Sequence, residues 1–244
     1  MAGFFATSIE FLKGVGPQRA ALLNKELSVF TFGDLIQQYP FRYEDRTKFY
    51  SIGEVHDEMQ HVQLKGIIKK KELLGTGFKK RLVAQMTDSS GEIELVWFQG
   101  INWISEKIKP GVEYVVFGKP TRYGNKFNIA HPELELAIER NSRGGFLQPV
   151  YSVTEKLKSK HIDSKALSKF IKDLLVISES RIRETLPPAI LHSQKLLPKK
   201  NAIMNVHIPS THDMLTMAQD RLKFEELFYI QLRLLKMKII RQNK

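Results

Sequence analysis

The sequence predicts an α+β chain in which a five-stranded, OB-type Greek-key β-barrel is flanked by N-terminal and C-terminal helical segments. Two observations carry that prediction. Apolar residues recur at three-to-four spacing before residue 60, at a spacing of two from His61 to Ile129, and at helical spacing again after Glu139. The alternating stretch is interrupted once, after its third strand, by a short segment of helical period, which suits a five-stranded barrel better than a sandwich of seven or more strands.

From Ile9 to Ile36 the spacing of Leu12, Val15, Leu22, Leu23, Leu35 and Ile36 predicts two or three small helices, with a tight glycine hairpin at Gly14-Val15-Gly16-Pro17. Pro17 suits the first position of a helix, where its missing N–H costs nothing, and Pro40 closes the segment. Five strands follow, marked by Val62, Leu64, Gly66 and Ile68; by Leu82, Ala84 and Met86; by Ile93, Leu95 and Trp97; by Val112, Tyr114 and Val116; and by Phe127 and Ile129. Turn signals separate them at Gly75-Thr-Gly77, Asp88-Ser-Ser-Gly91, Pro110-Gly111 and Tyr123-Gly124-Asn125, and Ile101 to Ile108 supplies the helical insert. Beyond the barrel, Ser164 to Val176 has one apolar face, and a long helix starts near Ser210, with Ser210 and Asp213 at capping-box spacing. That helix reaches Lys244 still apolar and without a glycine stop, which reads as a chain cut from a longer protein; a frayed natural terminus is the alternative. The expected domains are residues 1–60, 61–140 and 141–244.

The chain has 244 residues, 42% hydrophobic and 26% charged, which excludes a disordered, collagen-like or membrane-embedded protein. Zero cysteines exclude a disulfide framework, a thiolate zinc site, an iron–sulfur cluster and a cysteine nucleophile. No run approaches the ~18 apolar residues of a membrane span, and Met1 to Gly16 lacks a basic start followed by an apolar stretch, so the expectation is cytoplasmic, with no membrane partner. The formal charge of +12 points to polyanionic partners, against a plain alternative of solubility charge. It is spread as −2 over residues 1–60, +6 over 61–126, +5 over 127–200 and +3 over 201–244, so the excess avoids the N-terminal segment.

Several motifs bear on nucleic acid. Lys13-Gly14-Val15-Gly16-Pro17-Gln18-Arg19 has the pattern of a helix-hairpin-helix turn. There Gly14 and Gly16 would expose N–H groups to a phosphate, with Lys13 and Arg19 adding charge; a purely structural turn needs the same glycines. In the third strand, assigning Trp97 to the core leaves Phe98 outside, beside the helix that carries Trp103. Around them stand Lys69, Lys70, Lys71, Lys79, Lys80, Arg81, Lys119, Arg122, Tyr123 and Lys126, the makings of a base-stacking platform in a phosphate-binding groove. The alternative is that both rings pack against the helical segments. The runs Lys69–Lys71 and Lys79–Arg81 flank one hairpin and are expected to gather at one end of the barrel, contacting phosphates. No phosphate-loop motif is present, the seven histidines lack metal-ligand spacing, and no catalytic triad or metal site is expected.

Leu12-Lys-Gly-Val-Gly-Pro-Gln-Arg-Ala20, Phe32-Gly-Asp-Leu35 and Tyr39-Pro-Phe-Arg-Tyr-Glu-Asp-Arg-Thr47 closely resemble the N-terminal region of the RecG family of bacterial ATP-dependent DNA helicases. The resemblance continues through Asp88-Ser-Ser-Gly91, Trp97-Phe98, Gly118-Lys119, His131-Pro-Glu133, Pro149-Val-Tyr151, Leu186-Pro-Pro188 and Ala218 to Leu232. It implies that the barrel is a wedge seated at branched DNA, splitting duplex arms while a downstream motor translocates. Phe98 matches the family aromatic that stacks on a base at the branch point, and Trp103 stands nearest the second, in a loop one residue shorter. ATP and Mg2+ would serve the motor of the parent helicase, absent here, so this chain is expected to use no cofactor, to bind branched DNA as a monomer and to be inactive alone. Recognition of forks and Holliday-type junctions in repair, recombination and fork regression is the function implied. A generic single-strand-binding OB module and a protein-interaction module are the rivals; the first would show no preference for branches, the second little DNA binding of any kind.

Overall fold

The structure, a computed structural model, describes residues 3–124, 126–138 and 147–242. Its elements in chain order are α1 (Gly16–Leu27), α2 (Phe32–Ile36), β1 (Arg42–Asp45), β2 (Val62–Leu74), β3 (Arg81–Thr87), β4 (Glu92–Trp97), α3 (Ile101–Lys107) and β5 (Glu113–Gly118). Then come β6 (Pro120–Tyr123), β7 (Lys126–Ala130), β8 (Glu133–Leu136), β9 (Leu147–Val150), α4 (Glu155–Ser159), α5 (Ser164–Ser178), α6 (Pro188–Ser193), α7 (Lys199–His207) and α8 (His212–Gln242).

Two compact units divide the chain, Asp45–Gly145 forming one, and Met1–Glu44 with Phe146–Lys244 the other. The expected boundary after residue 60 therefore falls inside the barrel unit, because Ile52 and Val55 bury their side chains in the barrel core. The expected boundary after residue 140 lies outside the described residues, as do Asn125 of the last turn signal and Lys244.

The barrel unit is a seven-stranded sheet of order β6-β7-β4-β3-β2-β5-β8, all neighbours antiparallel except β4 and β7. All five expected strands are present in OB order, with α3 inserted after the third, and the alternating residues Leu64, Ile68, Leu82, Met86, Ile93, Leu95, Tyr114, Val116 and Ile129 fill one core. The count differs from five because β6 and β8 are four-residue edge strands too short to show a period. β2 is long and bent: its register shifts between Ile68 and Lys70, leaving Lys69 as an extra residue. At the bend Gly66 passes so close to β3 that an added Cβ would lie 2.5 Å from the Thr87 carbonyl oxygen.

The helical unit brings distant sequence together. Leu12, Leu23 and Leu35 from the N-terminal segment share a core with Leu167, Phe170, Leu174 and Ile203 from the C-terminal one, and β1 pairs with β9. The residues before Gly14 form 3-10 turns at Phe4–Ala6 and Ile9–Phe11 rather than an α-helix. Thr31 and Asp34 make a capping box on α2, and the start of α8 is capped by Thr211, whose Oγ1 accepts from the Met214 N–H at 3.1 Å. Ser210, the expected cap, instead donates to Asn205 Oδ1 at 3.0 Å.

Arg221 and His207 are among the polar side chains buried in this unit. Arg221 is fully buried and its guanidinium reaches Glu225 and Glu184 at 2.6 Å each. Glu184 is held down to about 2: partial burial opposes the shift, but the backbone N–H groups of Leu186, Lys199 and Thr185 and the Arg221 guanidinium outweigh it. His207 is fully buried between the rings of Tyr39 and Tyr151. Its Nε2 donates to the Ile36 carbonyl at 2.8 Å, leaving Nδ1 to accept from the Tyr151 hydroxyl at 3.0 Å.

Burial pushes the His207 imidazole down from 6.5 to about 4, against the pull of the Ile36 carbonyl. The unfolded chain therefore binds more protons than the folded one between those values, and stability falls as pH drops through that window. We expect the helical unit to lose about 2 kcal/mol between about pH 7 and about pH 5 on this account. His207→Gln, which can keep both hydrogen bonds, should flatten that segment of the stability curve, followed in urea by helical circular dichroism; an unchanged slope would assign it to other groups. In the barrel, Gly66→Ala should lower the melting temperature sharply, because the atom it meets belongs to the backbone of a paired strand.

Candidate nucleic-acid interface

The parity of β4 decides which aromatic faces where. Ile93, Leu95 and Trp97 point into the barrel, Trp97 being only 2% exposed. Side chains alternate along a strand, so Phe98 shares the outer face with Glu94 and Val96, and it is 55% exposed. The outer surface is laid out in rows fixed by the register. Lys70, Gln85, Glu94, Asn128 and Thr121 stand opposite one another across β2, β3, β4, β7 and β6. The next row, Glu72, Val83, Val96 and Ala130, is mostly apolar. A groove of about 410 Å³ opens over these rows, and its walls include Lys70, Arg81, Phe98, Tyr123 and Lys126. The Phe98 N–H donates to His131 Nε2 at 3.3 Å, and the two rings lie 5.6 Å apart, tilted by 46°.

The structure sorts the expected cations. Lys70, Arg81 and Lys126 line the groove with Tyr123, whereas Lys79, Lys80, Lys119 and Arg122 are exposed outside it. The two basic runs do not gather at one end: Lys70 faces Gln85 while Leu74 faces Arg81, so about four residues, or ~13 Å, of strand separate them. Lys69 pairs with Glu92 at 2.8 Å, holding that carboxyl below the usual range, and Lys70 pairs with Glu72 at 3.1 Å. Lys71, placed opposite inward-facing Ala84 by the bulge, donates to the carbonyls of Ser105 and Ile108 at 2.5 and 2.8 Å. Its charge thus caps the C-terminal end of α3, where orphan carbonyls and the helix dipole both favour a cation. Arg122 pairs with Asp57 at 3.0 Å. Trp103 is 63% exposed under the Lys107 ammonium, 5.2 Å from its ring, and is not among the groove residues; the aromatic that shares the groove with Phe98 is Tyr123. His131 and the floor residues Gln85, Glu94 and Asn128 escaped the sequence reading, although the outward phase of the same alternation marks all but His131. Among the described residues no cluster of His, Asp or Glu could hold a metal ion.

The sequence profile of the RecG wedge domain matches residues 8–174, which is more than half of the chain. The chain belongs to the RecG wedge family. It is 30% identical over 231 residues to the ATP-dependent DNA helicase RecG of Thermotoga maritima, spanning 93% of this chain and 28% of that protein. The RecG helicase of Bacillus subtilis is 28% identical over 231 residues (93% of this chain, 32% of that protein). A solved structure of RecG bound to a three-way DNA junction superposes on the whole of this chain and 32% of its own, with a TM-score of 0.81 and 28% identity. The chain thus spans about a third of the length of the curated relatives it matches.

Within this RecG wedge chain the glycine hairpin is a braced turn. Gly14 and Gly16 take φ of 87° and 61°, which glycine adopts without penalty, and Arg19 donates to the Gly14 carbonyl at 2.6 Å. Lys13 is exposed, and no helix among the described residues is long and apolar enough to cross a membrane.

Adjacent aromatics of opposite burial give opposite expectations. Trp97→Ala should destabilise the barrel by about 3–5 kcal/mol, whereas Phe98→Ala should change its stability by less than about 0.5 kcal/mol. Thermal unfolding of both variants checks this, and comparable losses would place the Phe98 ring in the core.

Proposed function

We propose that this chain binds branched DNA at the barrel's outer face, as the wedge portion of an ATP-dependent helicase. The observation that carries the proposal is the exposed Phe98 ring at the wall of a groove lined by Lys70, Arg81 and Lys126, in a member of the RecG wedge family. Phe98 caps the terminal base pair where a duplex parts. The exposed cations Lys79, Lys80, Arg81, Lys119 and Lys126 hold phosphates of the arms. Lys69, Lys70 and Arg122 can join them by exchanging a solvent-exposed carboxylate for a phosphate, since such surface pairs contribute little. Lys71, engaged by α3, contributes to the fold instead. Tyr123, rather than Trp103, is placed to add a second stacking surface inside the groove. The glycine hairpin offers a further phosphate contact through Lys13 and the N–H groups near Gly14 and Gly16, with Arg19 reserved for the turn.

The chemistry of strand separation is then mechanical. ATP and Mg2+ bound elsewhere in the parent helicase drive translocation, and the barrel stands between the arms as strands are drawn past it. The setting is that of forks and Holliday junctions in repair and recombination, with the protein acting as a cytoplasmic monomer. The chain alone carries no phosphate loop and should release no phosphate from ATP in the presence of junction DNA.

Titration of a three-way junction and of a matched linear duplex over a salt series tests the proposal. Phe98→Ala should weaken junction binding by about 1–3 kcal/mol while leaving the duplex almost unaffected, and Lys126→Ala should weaken both and reduce the salt slope by about one. Equal affinity for junction, duplex and single strand would sink the branch-specific reading and leave a general nucleic-acid module.

A further inference from the structure

His131 sits immediately after β7, and its backbone continues the parallel ladder with β4 by donating its N–H to the Val96 carbonyl at 2.7 Å. In a regular parallel ladder the next bond would run from the Phe98 N–H to the carbonyl of His131 itself. The chain does not allow it. His131 takes φ of 48°, left-handed backbone that few non-glycine residues adopt, and turns away into Pro132. The imidazole takes the missing carbonyl's place: Nε2 accepts the Phe98 N–H at 3.3 Å, which requires the neutral ring with its proton on Nδ1. The same ring lies against the Phe98 side chain, 5.6 Å between centroids. One side chain thus meets both the backbone N–H and the ring of an exposed aromatic, while it is the neighbouring Trp97 that fills the core.

We propose that His131 is a positioning residue for Phe98: it fixes the exposed ring at the end of β4, so that the ring meets a parted duplex already ordered. The inference rests on the proposed role of Phe98 in branch recognition and adds to it the residue that orients the platform. A ring free to rotate would lose rotamer freedom on stacking and bind more weakly for the same contact. Backbone held in a sparsely populated region beside such a ring fits a site whose geometry is maintained at some expense of stability.

The test uses the full chain, with a three-way DNA junction and a linear duplex of equal length as probes, and compares Phe98→Ala, His131→Gly, His131→Gln and the Phe98→Ala/His131→Gly double variant. Glycine accepts the left-handed backbone, so His131→Gly removes the imidazole without loading the turn. We expect His131→Gly to lower the preference for junction over duplex about three- to tenfold, the scale of one net hydrogen bond. His131→Gln, whose Oε1 can accept the same N–H, should recover part of that loss. In the Phe98→Ala background His131→Gly should cost nothing more, because a residue acting through Phe98 has nothing left to position. All affinities are measured well below each variant's melting transition, so a lowered melting temperature does not confound the comparison.

Additive losses would show His131 acting on DNA independently of Phe98, and an unchanged preference in His131→Gly would show its hydrogen bond to be incidental; either result overturns the inference. An unchanged preference in Phe98→Ala alone, where His131 is intact, is a different failure. It removes the stacking platform itself, and with it any need for a positioning residue.

Discussion

Much of the outer face follows from one steric fact about β4, that consecutive side chains on a strand cannot share a side. Trp97 fills the barrel with Ile93 and Leu95, and the cost of withdrawing so large a ring from a packed core is several kcal/mol. That burial fixes the phase of the strand. Phe98 is left in water not because its own ring prefers it but because its neighbour's preference is larger and the two are opposed. The exposed ring therefore stands on a backbone anchored from behind. Shifting the strand by one residue to bury Phe98 would expose Trp97, Leu95 and Ile93 together.

The same parity argument explains how the basic residues divide. Three consecutive lysines would alternate faces on an unbroken strand, and the bulge at Lys69 resets that alternation, sending Lys70 outward and Lys71 toward the end of α3. A lysine run in sequence is thus not one electrostatic feature. One of its members closes a helix, another sits in the groove, and Lys69 and Lys70 each already hold a carboxylate at the surface. For binding a polyanion the useful charge is what can be redirected at small cost, which favours exposed residues such as Lys79, Lys80, Lys119 and Lys126 over any that cap or brace the fold.

The barrel was legible in the sequence to the extent that its strands are half-buried. Leu82, Ala84 and Met86, or Ile93, Leu95 and Trp97, alternate because one face meets the core, and that phase also placed Phe98 outside. β6 and β8 left no such trace, being four residues long and at the sheet's edges. The bulge left no trace because it falls in a run of three lysines, where no alternation of apolar and polar residues can show the phase being reset. Trp103 is near Phe98 along the chain, but strand order brings β6 and β7 across to β4, so that Tyr123 and not Trp103 lines the groove with Phe98. The helical unit was harder still, since its core joins Leu12 and Leu35 to Phe170 and Ile203 and no local period reports a partner so far along the chain. His207 and His131 belong to a set of histidines without metal-ligand spacing, and no local period marks either of them. One is sealed between two tyrosines, and the other substitutes for a backbone carbonyl, roles set wholly by tertiary geometry.

The magnitudes limit what such a wedge can discriminate. Phosphate contacts are the same on a linear duplex as on a branch, so lysines raise affinity for both and prefer neither. Preference for a branch must come from a group that gains only where base pairs part. A single stacked base supplies about 1–3 kcal/mol, hence a preference of about five- to 150-fold. That is modest for locating a rare structure in a genome and ample for holding a junction in register once bound, because a slip of one base pair would forfeit the whole stacking energy while retaining most phosphate contacts. A rigid ring on an anchored strand, rather than a large sequence-reading surface, is what that task requires.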